Sequence, residues 1–416
     1  MRHRVRAGFA GDSGAVVYSA GLVSRVFGAY VSRVLLAVAD RGGLAPAARA
    51  TRLIFLVSGI GMAAWAPMVP YAKARLGLDD AALGLVLLAF GGGSMLAMPL
   101  VGWLTQRYGN RRVIVVGGVL LCVALPGLAL AARAVALATI LFCFGMALGA
   151  VDVAMNAHAV DVERRAGRPM MSGFHGLFSV GGLSGALGMS ALLALGLPLV
   201  AAAVLVAVLL AAVVVAQWSN LLDEVDATAA RAKAFAMPRG IVLVLGLLCF
   251  ISFLAEGAML DWSAVFLREF RGFDAATAGI GYAGFSVAMA LVRLVGDRVV
   301  SRIGPVLTVR LGAGVAATGF LLAAFVAWPP AALVGFVLVG LGAANIVPVM
   351  FGAAGRLPGA SPGVSLATVT MLGYAGLLSG PALIGFLAQA SSLPVAFAAV
   401  AGLLVLTAAS ARWVRA

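Results

Sequence analysis

From residue 52 to residue 411 the sequence is one apolar stretch after another, each about as long as a bilayer is thick. A helix needs roughly 20 apolar residues to cross the hydrocarbon core. Runs of that length, broken by charge, Gly or Pro, fall at 52–72, 81–104, 113–132, 134–158, 172–195 and 198–217. Six more fall at 240–267, 275–296, 306–327, 331–354, 363–389 and 392–411. A water-soluble fold cannot cover such a surface: 63% of the residues are hydrophobic and 11% charged, against about 45–50% and about 25% in ordinary soluble domains. The expectation is an all-α polytopic membrane protein with twelve transmembrane helices. Arg133 and Gly196-Leu197-Pro198 divide the two places where apolar sequence runs on almost without a break. Cys122, Cys143 and Cys249 lie inside apolar runs and read as small hydrophobes. No metal-ligand spacing, phosphate loop or nucleotide motif appears, so no cofactor or metal is expected.

The formal charge is +14, from 29 Lys+Arg against 15 Asp+Glu. In a soluble protein that excess would suggest nucleic acid; in a membrane protein, basic residues hold loops on the cytoplasmic side. Laid along twelve spans, only Lys73, Arg75, Arg133, Arg268 and Arg271 fall on one side, which leaves 24 of the 29 cations on the other. Both termini are therefore expected in the cytoplasm, with the bilayer as partner and no nucleic acid. The stretch 218–239, with Asp223, Glu224, Asp226, Arg231 and Lys233, reads as a cytoplasmic linker between a six-helix bundle at 51–217 and a second at 240–411. Residues 1–50 are Arg-rich and weakly apolar, lack a signal-peptide pattern, and are expected to be a disordered extension or an over-long start. A short tail follows at 412–416.

The loops after spans two and eight carry the clearest internal repeat. The first reads Gly102-Trp103-Leu104-Thr105-Gln106-Arg107-Tyr108-Gly109-Asn110-Arg111-Arg112, the second Gly296-Asp297-Arg298-Val299-Val300-Ser301-Arg302-Ile303-Gly304-Pro305. Allowing one inserted residue, Gln106–Gly109 lies over Ser301–Gly304. The first loop resembles the signature of the major facilitator superfamily between its second and third helices, Gly-x-Leu-x-Asp-Arg-x-Gly-x-Arg-Arg. Gln106 stands where that pattern has Asp; the second loop has Asp297, placed earlier. Asp152-Val153-Ala154-Met155-Asn156-Ala157-His158, Val162-Glu163-Arg164-Arg165, Met171-Ser172-Gly173-Phe174-His175-Gly176 and Glu256-Gly257-Ala258-Met259-Leu260-Asp261-Trp262 are further matches. They are similar to the rhizopine-transporter-like (MosC-like) branch, distantly akin to fucose permeases. The resemblance covers about residues 52–411 and implies two six-helix pseudo-repeats that move a solute by alternating access.

Charge inside a bilayer costs at least about 2.5 kcal/mol per group at mid-helix, so an ionisable residue there is a functional candidate. Among the 15 acids, Asp152, Glu256 and Asp261 alone fall well inside spans. Asp152, with Asn156 one turn on and His158 and His175 flanking the next loop, is either a proton-binding group or one side of a gate ion pair with Arg107, Arg111 or Arg112. The resemblance to fucose permeases, which use a carboxylate in the fourth helix, supports the first. Glu256 has no cation in its neighbouring sequence and is expected neutral and hydrogen-bonded, as a coupling or solute-binding group. Asp261 reads as a solvated or gate residue. Arg293 and Asp297, four apart, read as a structural pair beside Arg298. Asn345 is a candidate for hydrogen bonding to solute, and Trp65, with Pro67 and Pro70, for lining the cavity. The glycine series Gly181, Gly185, Gly188 and Gly376, Gly380, Gly385 reads as close helix packing.

Gly182-Leu183-Ser184-Gly185 has the form of an intramembrane serine protease motif, but no histidine sits on another helix downstream to activate the serine; an enzyme is not expected. The expectation is a monomeric, proton-coupled symporter of a small polar, sugar- or inositol-like solute in a bacterial inner membrane. Proton-coupled efflux is the alternative, weakened by the absence of a Pro in span five before Pro198. A membrane sensor or structural protein that moves nothing is the second alternative.

Overall fold

The computed structural model describes residues 44–78, 80–222, 240–273, 280–357 and 362–415. Most of the expected N-terminal extension and of the expected linker, with all six of its charged residues, lie outside the described residues. The first six helices are α1 (Ala45–Ala64), α2 (Asp80–Tyr108), α3 (Asn110–Leu130), α4 (Ala134–Ala166), α5 (Met171–Ala194) and α6 (Leu199–Ala216). A 3-10 turn, Ala66–Met68, and a short helix, Val69–Leu76, continue α1. After α7 (Ile241–Arg271) comes a 46-residue helix, Ile280–Phe325, with a non-helical residue at Gly304 (φ 79, ψ 162). At 1.5 Å per residue it would be about 69 Å long, twice a bilayer core. It is two spans, α8 and α9, folded back at Gly304. The tenth span, α10, is itself in two pieces, Pro329–Ala343 and Ile346–Gly355, and α11 (Pro362–Ala390) and α12 (Leu393–Ser410) complete the bundle. With α8 and α9 separated, the described residues form twelve spans, the number expected.

The helices run past the apolar runs. α1 begins at Ala45, so Arg49 and Arg52, placed in or at the edge of the tail by sequence, are helical. α4 continues to Ala166, which puts His158 two turns inside a helix rather than at a loop. The signature segments are helical too, up to Tyr108 in one and Ile303 in the other. Each turn is made by a single glycine. Gly109 (φ 83, ψ 157) and Gly304 (φ 79, ψ 162) share one conformation, reserved in practice for glycine. The repeat read from sequence is therefore a repeat of backbone.

The packing repeats as well. α1 lies on α5 as α7 lies on α11, and α2 on α4 as α8 on α10; α2–α11 and α5–α8 join the two sets of six. Gly59 meets the Phe178 carbonyl, Gly181 and Gly185 meet the backbone of Leu56 and Ile60, and Gly376 meets Phe250, so these glycines allow backbones to touch, as read; Gly188 meets nothing close. Leu85, Leu88, Leu120, Val123, Val208 and Leu209 are exposed, a girdle that a bilayer would cover.

Two ends follow from the alternating direction of the spans. The end with the α2–α3, α4–α5, α8–α9 and α10–α11 turns carries most of the arginines and is called the basic end below. There one apolar cluster runs through both sets, from Phe55, Met155 and Phe174 to Met350, Phe351 and Val369. At the opposite end each set keeps its own: Met68, Leu128, Leu137 and Phe144 in the first, Phe266, Phe320, Phe336 and Phe397 in the second. The molecule is closed at the basic end.

Candidate functional site

Asp152 and Asn156 are buried on one face of α4, a turn apart. The Asn156 amide Nδ2 donates to the Asp152 backbone carbonyl at 2.8 Å and to its carboxylate Oδ1 at 3.3 Å. That orients the amide with Oδ1 outward, toward His175 Nε2 at 3.1 Å on α5. An amide oxygen only accepts, so Nε2 carries the proton of that bond. The imidazole is held edge-on between Phe55 of α1, centroids 5.3 Å apart, and Phe351 of α10, 5.6 Å apart. It thus sits where the two sets of helices meet.

The line continues into the second set. Ser179, a turn beyond His175, donates to the His175 carbonyl at 3.2 Å and accepts from Arg293 Nη1 of α8 at 3.3 Å. Arg293 Nη2 reaches Glu256 Oε1 of α7 at 3.3 Å, with side-chain exposures of only 10% and 15%. Arg293 Nε donates to the Ala344 carbonyl at 3.0 Å. One guanidinium therefore holds a carboxylate, a bare backbone carbonyl and a hydroxyl of the other set, the fork geometry suiting all three. Tyr374 of α11 packs on Phe253 and is close enough to Asp152 to interact with it electrostatically.

The Ala344 carbonyl is free because of Pro348. A proline has no N–H for the carbonyl four residues back and its ring crowds that carbonyl; here that is Ala344, at the break in α10. The next residue, Asn345, is buried beside Gly296 with its amide Oδ1 unpartnered. Irregular backbone at membrane depth is tolerated where protein or a cavity satisfies it.

Several expectations change. Glu256 does have a cation, 37 residues away in sequence and adjacent in space. Arg293 is not paired with Asp297: both Asp297 oxygens are taken by the first amides of α5, Ser172 N–H at 2.8 Å and Gly173 N–H at 2.9 Å, which offer two donors and a helix dipole at once. Among the described residues, Asp152 has no arginine partner. Arg107 lies exposed over the Tyr108 ring, Arg111 over the Trp218 ring, and Arg112 is exposed. Trp65 is buried in the first set's own apolar cluster, away from the polar line. Asp261 and Arg298 are exposed, and Gly102 is buried within α2. His158 belongs to a separate contact: its Nε2 accepts from Leu222 N–H at 2.9 Å and its Nδ1 bonds Thr51 at 3.0 Å.

Sequence reading missed Ser179 and the basic-end closure. Glu163 of α4 accepts from Met170 and Met171 N–H and pairs with Arg356 beyond α10 at 2.7 Å. Together with the bonds from the first amides of α5 to Asp297 of α8, this gives two polar ties between the sets at that end. They rim a cavity of about 330 Å³ that also touches Arg168, Val300 and Gly352.

The sequence profile described as Major Facilitator Superfamily matches residues 51–361. An uncharacterized MFS-type transporter of Yersinia pestis is 52% identical over 362 residues, covering 87% of this chain and 94% of that one. Membrane protein MosC of Rhizobium meliloti is 32% identical over 345 residues, 82% of this chain and 83% of MosC. Among solved structures, the E. coli fucose:proton symporter FucP has a TM-score of 0.73 at 18% identity, covering 90% of this chain and 99% of that one. The proton:xylose symporter XylE has a TM-score of 0.71 at 14% identity, covering 88% of this chain and 94% of XylE. At such identities the likeness is one of fold. With the profile spanning well over half of its length and relatives that span most of it, this chain belongs to the Major Facilitator Superfamily of multi-pass membrane transporters.

Proposed function

We propose that the protein is a proton-coupled secondary transporter that carries a small polar, sugar- or inositol-like solute by symport across a bacterial inner membrane. The observation that carries this reading is the hydrogen-bonded line Asp152–Asn156–His175–Ser179–Arg293–Glu256, which joins two buried carboxylates across the interface between the helix sets. One guanidinium stands against two carboxylates, so one carboxylate is left for a proton or for a polar group of the solute. Alternating access moves one six-helix half against the other, and a line that crosses the interface is made and broken in each cycle. The likeness to FucP and XylE, proton symporters both, supports the same coupling. Asn345 and the Arg293–Glu256 pair supply donors and acceptors suited to hydroxyl groups. The halves are taken as 51–217 and 240–411, acting within one monomer. The arginine distribution supports a cytoplasmic position for the basic end and for both termini.

The test is uptake into vesicles under an imposed pH gradient, with solutes first chosen by thermal-shift screening of the purified protein. Asp152→Asn and Glu256→Gln each abolish accumulation while leaving expression intact. Proton-driven uptake that survives in both single variants would remove the coupling assignment. Stabilisation by lipophilic cations alone would favour efflux.

A further inference from the structure

We infer that Arg293 is a switch that ties the charge on Glu256 to a hinge in α10 at Ala344–Asn345. The inference rests on the reading of Glu256 as a group that gains and loses a proton. Pro348 cannot close the helix onto Ala344, and α10 is accordingly split into Pro329–Ala343 and Ile346–Gly355. The orphaned Ala344 carbonyl would be costly at membrane depth, and the group that satisfies it is Arg293 Nε, at 3.0 Å.

The same guanidinium, through Nη2, holds Glu256 Oε1 at 3.3 Å. The guanidinium is rigid and planar, so its donors move as one body. While Glu256 is charged, a charge-assisted bond fixes the plane and the Ala344 carbonyl stays bound. A protonated Glu256 no longer holds the guanidinium as an ion pair, and the plane is free to turn. Ala344 then loses its partner, and the two pieces of α10 are free to bend. Two features beside the hinge give that bend somewhere to act. Asn345 carries a buried amide oxygen with no partner, and it stands against Gly296, which is itself approached closely by Ser172 of the other helix set. The third bond of Arg293, to Ser179 of α5 at 3.3 Å, reaches that set directly. A single proton at Glu256 thus reaches both the hinge and the interface.

The ionisable groups around Glu256 leave Arg293 as its counter-charge. Besides Arg293, α8 presents the Tyr282 phenol within electrostatic range. On α7 itself Cys249 is near, and Asp261 lies five residues on and exposed. Of the other helices packed on α7, α10 and α12 contain no titratable residue, and α11 contains Tyr374, whose ring lies on Phe253; the 3-10 turn Ala411–Arg415 also touches α7, and its Arg412 and Arg415 are exposed.

Backbone hydrogen exchange of the full-length protein in nanodiscs, read on the peptide covering 343–349 and corrected for intrinsic pH dependence, tests the switch. In the wild type, exchange of this segment rises about tenfold as pH falls and Glu256 takes its proton, the size expected for loss of one charge-assisted bond. Glu256→Gln exchanges at the fast rate at every pH. Arg293→Lys, which keeps the charge and loses the fork, is fast even where Glu256 is ionised. Pro348→Ala restores an N–H to Ala344 and is slow at every pH, also when combined with Glu256→Gln. A Glu256→Gln protein with an unchanged melting temperature and wild-type protection over 343–349 overturns the switch, even if its uptake is lost, which would leave the coupling reading standing. Fast exchange in Glu256→Gln with proton-driven uptake intact would keep the switch and remove the coupling.

Discussion

In α1–α6 the turn after the second helix is Gly109, and a single arginine, Arg75, holds the end of the third helix by donating to the Leu128, Ala129 and Ala131 carbonyls at 2.6–3.1 Å. In α7–α12 the same two tasks fall to Gly304 and to Arg271, which donates to the Ala323 and Ala324 carbonyls at the end of α9 at 2.6 and 3.0 Å. The last turn of a helix leaves carbonyls without partners, and both halves solve this with an arginine from the end of the preceding outer segment. The charges inside differ. Among the described residues, the Asp152 carboxylate of the first half is hydrogen-bonded by the neutral Asn156 amide and has no cation beside it, whereas Glu256 of the second is bound to Arg293. The fourth helix of the first half is unbroken, and its counterpart α10 is split. The shared parts are the scaffold of each half, and the differences lie where the halves must do different things.

The largest way to test that division is to remove the counter-charge from one half and the charge from the other. Arg293→Ala leaves Glu256 unpaired and Ala344 exposed, and is expected to cost about 3–5 kcal/mol in denaturant unfolding of purified protein. Asp152→Asn keeps an oxygen for the Asn156 amide and is expected to change stability by less than about 1 kcal/mol. Adding Glu256→Gln to Arg293→Ala should return part of the loss. Equal destabilisation by Arg293→Ala and Asp152→Asn would erase the contrast between the halves.

The arginine staples come next. Arg75→Ala and Arg271→Ala should each cost about 2–4 kcal/mol, by loss of charged donors to several helix-end carbonyls, and the two values should agree within about 1 kcal/mol. Arg271 also lies over the Phe266 ring, 4.8 Å from its centroid, so any excess belongs to it. A large cost for one and none for the other would break the equivalence. Gly109→Ala and Gly304→Ala follow, at about 1–3 kcal/mol each, because both residues occupy a region of φ and ψ that a Cβ disfavours. Unequal costs would mean that the two turns are alike in shape only.

Much of this scaffold is legible in the sequence, since hydropathy reports directly what must lie in hydrocarbon. Arg133 and Gly196-Leu197-Pro198 do separate helices, and the matched Gly109 and Gly304 share a conformation. Hydropathy does not report where a helix ends in water, which is why the polar end of α4, with Glu163, was read as loop. The site was half legible. The cost of intramembrane charge singles out Asp152 and Glu256, and their partners are hidden by distance in sequence. Spacing on one helix suggested Arg293 with Asp297, yet each has a better partner on another helix: a carboxylate for one, a helix N-terminus for the other. The break in α10 had a visible signal in Pro348, which sits inside an apolar run long enough to be read as one span.

The smallest effect concerns the basic end, where the halves differ by one acid. Asp297 caps α5 across the interface, while the first loop has Gln106 where the signature places its acid, its amide nitrogen buried and unpartnered. Closure at that end therefore draws on one helix cap and on the Glu163–Arg356 pair, together with the apolar cluster that both halves share. In Asp297→Asn an amide oxygen can accept one of the two α5 bonds, but the negative charge facing the helix dipole is gone. The expected shift toward opening is about 1 kcal/mol, roughly fivefold in population. Spin-label distances between the α4–α5 and α10–α11 turns would read it, and Glu163→Gln should move the same distribution in the same direction. If neither variant moves it, the shared apolar cluster alone holds the basic end closed, and the difference between Asp297 and Gln106 has no bearing on which way the transporter faces.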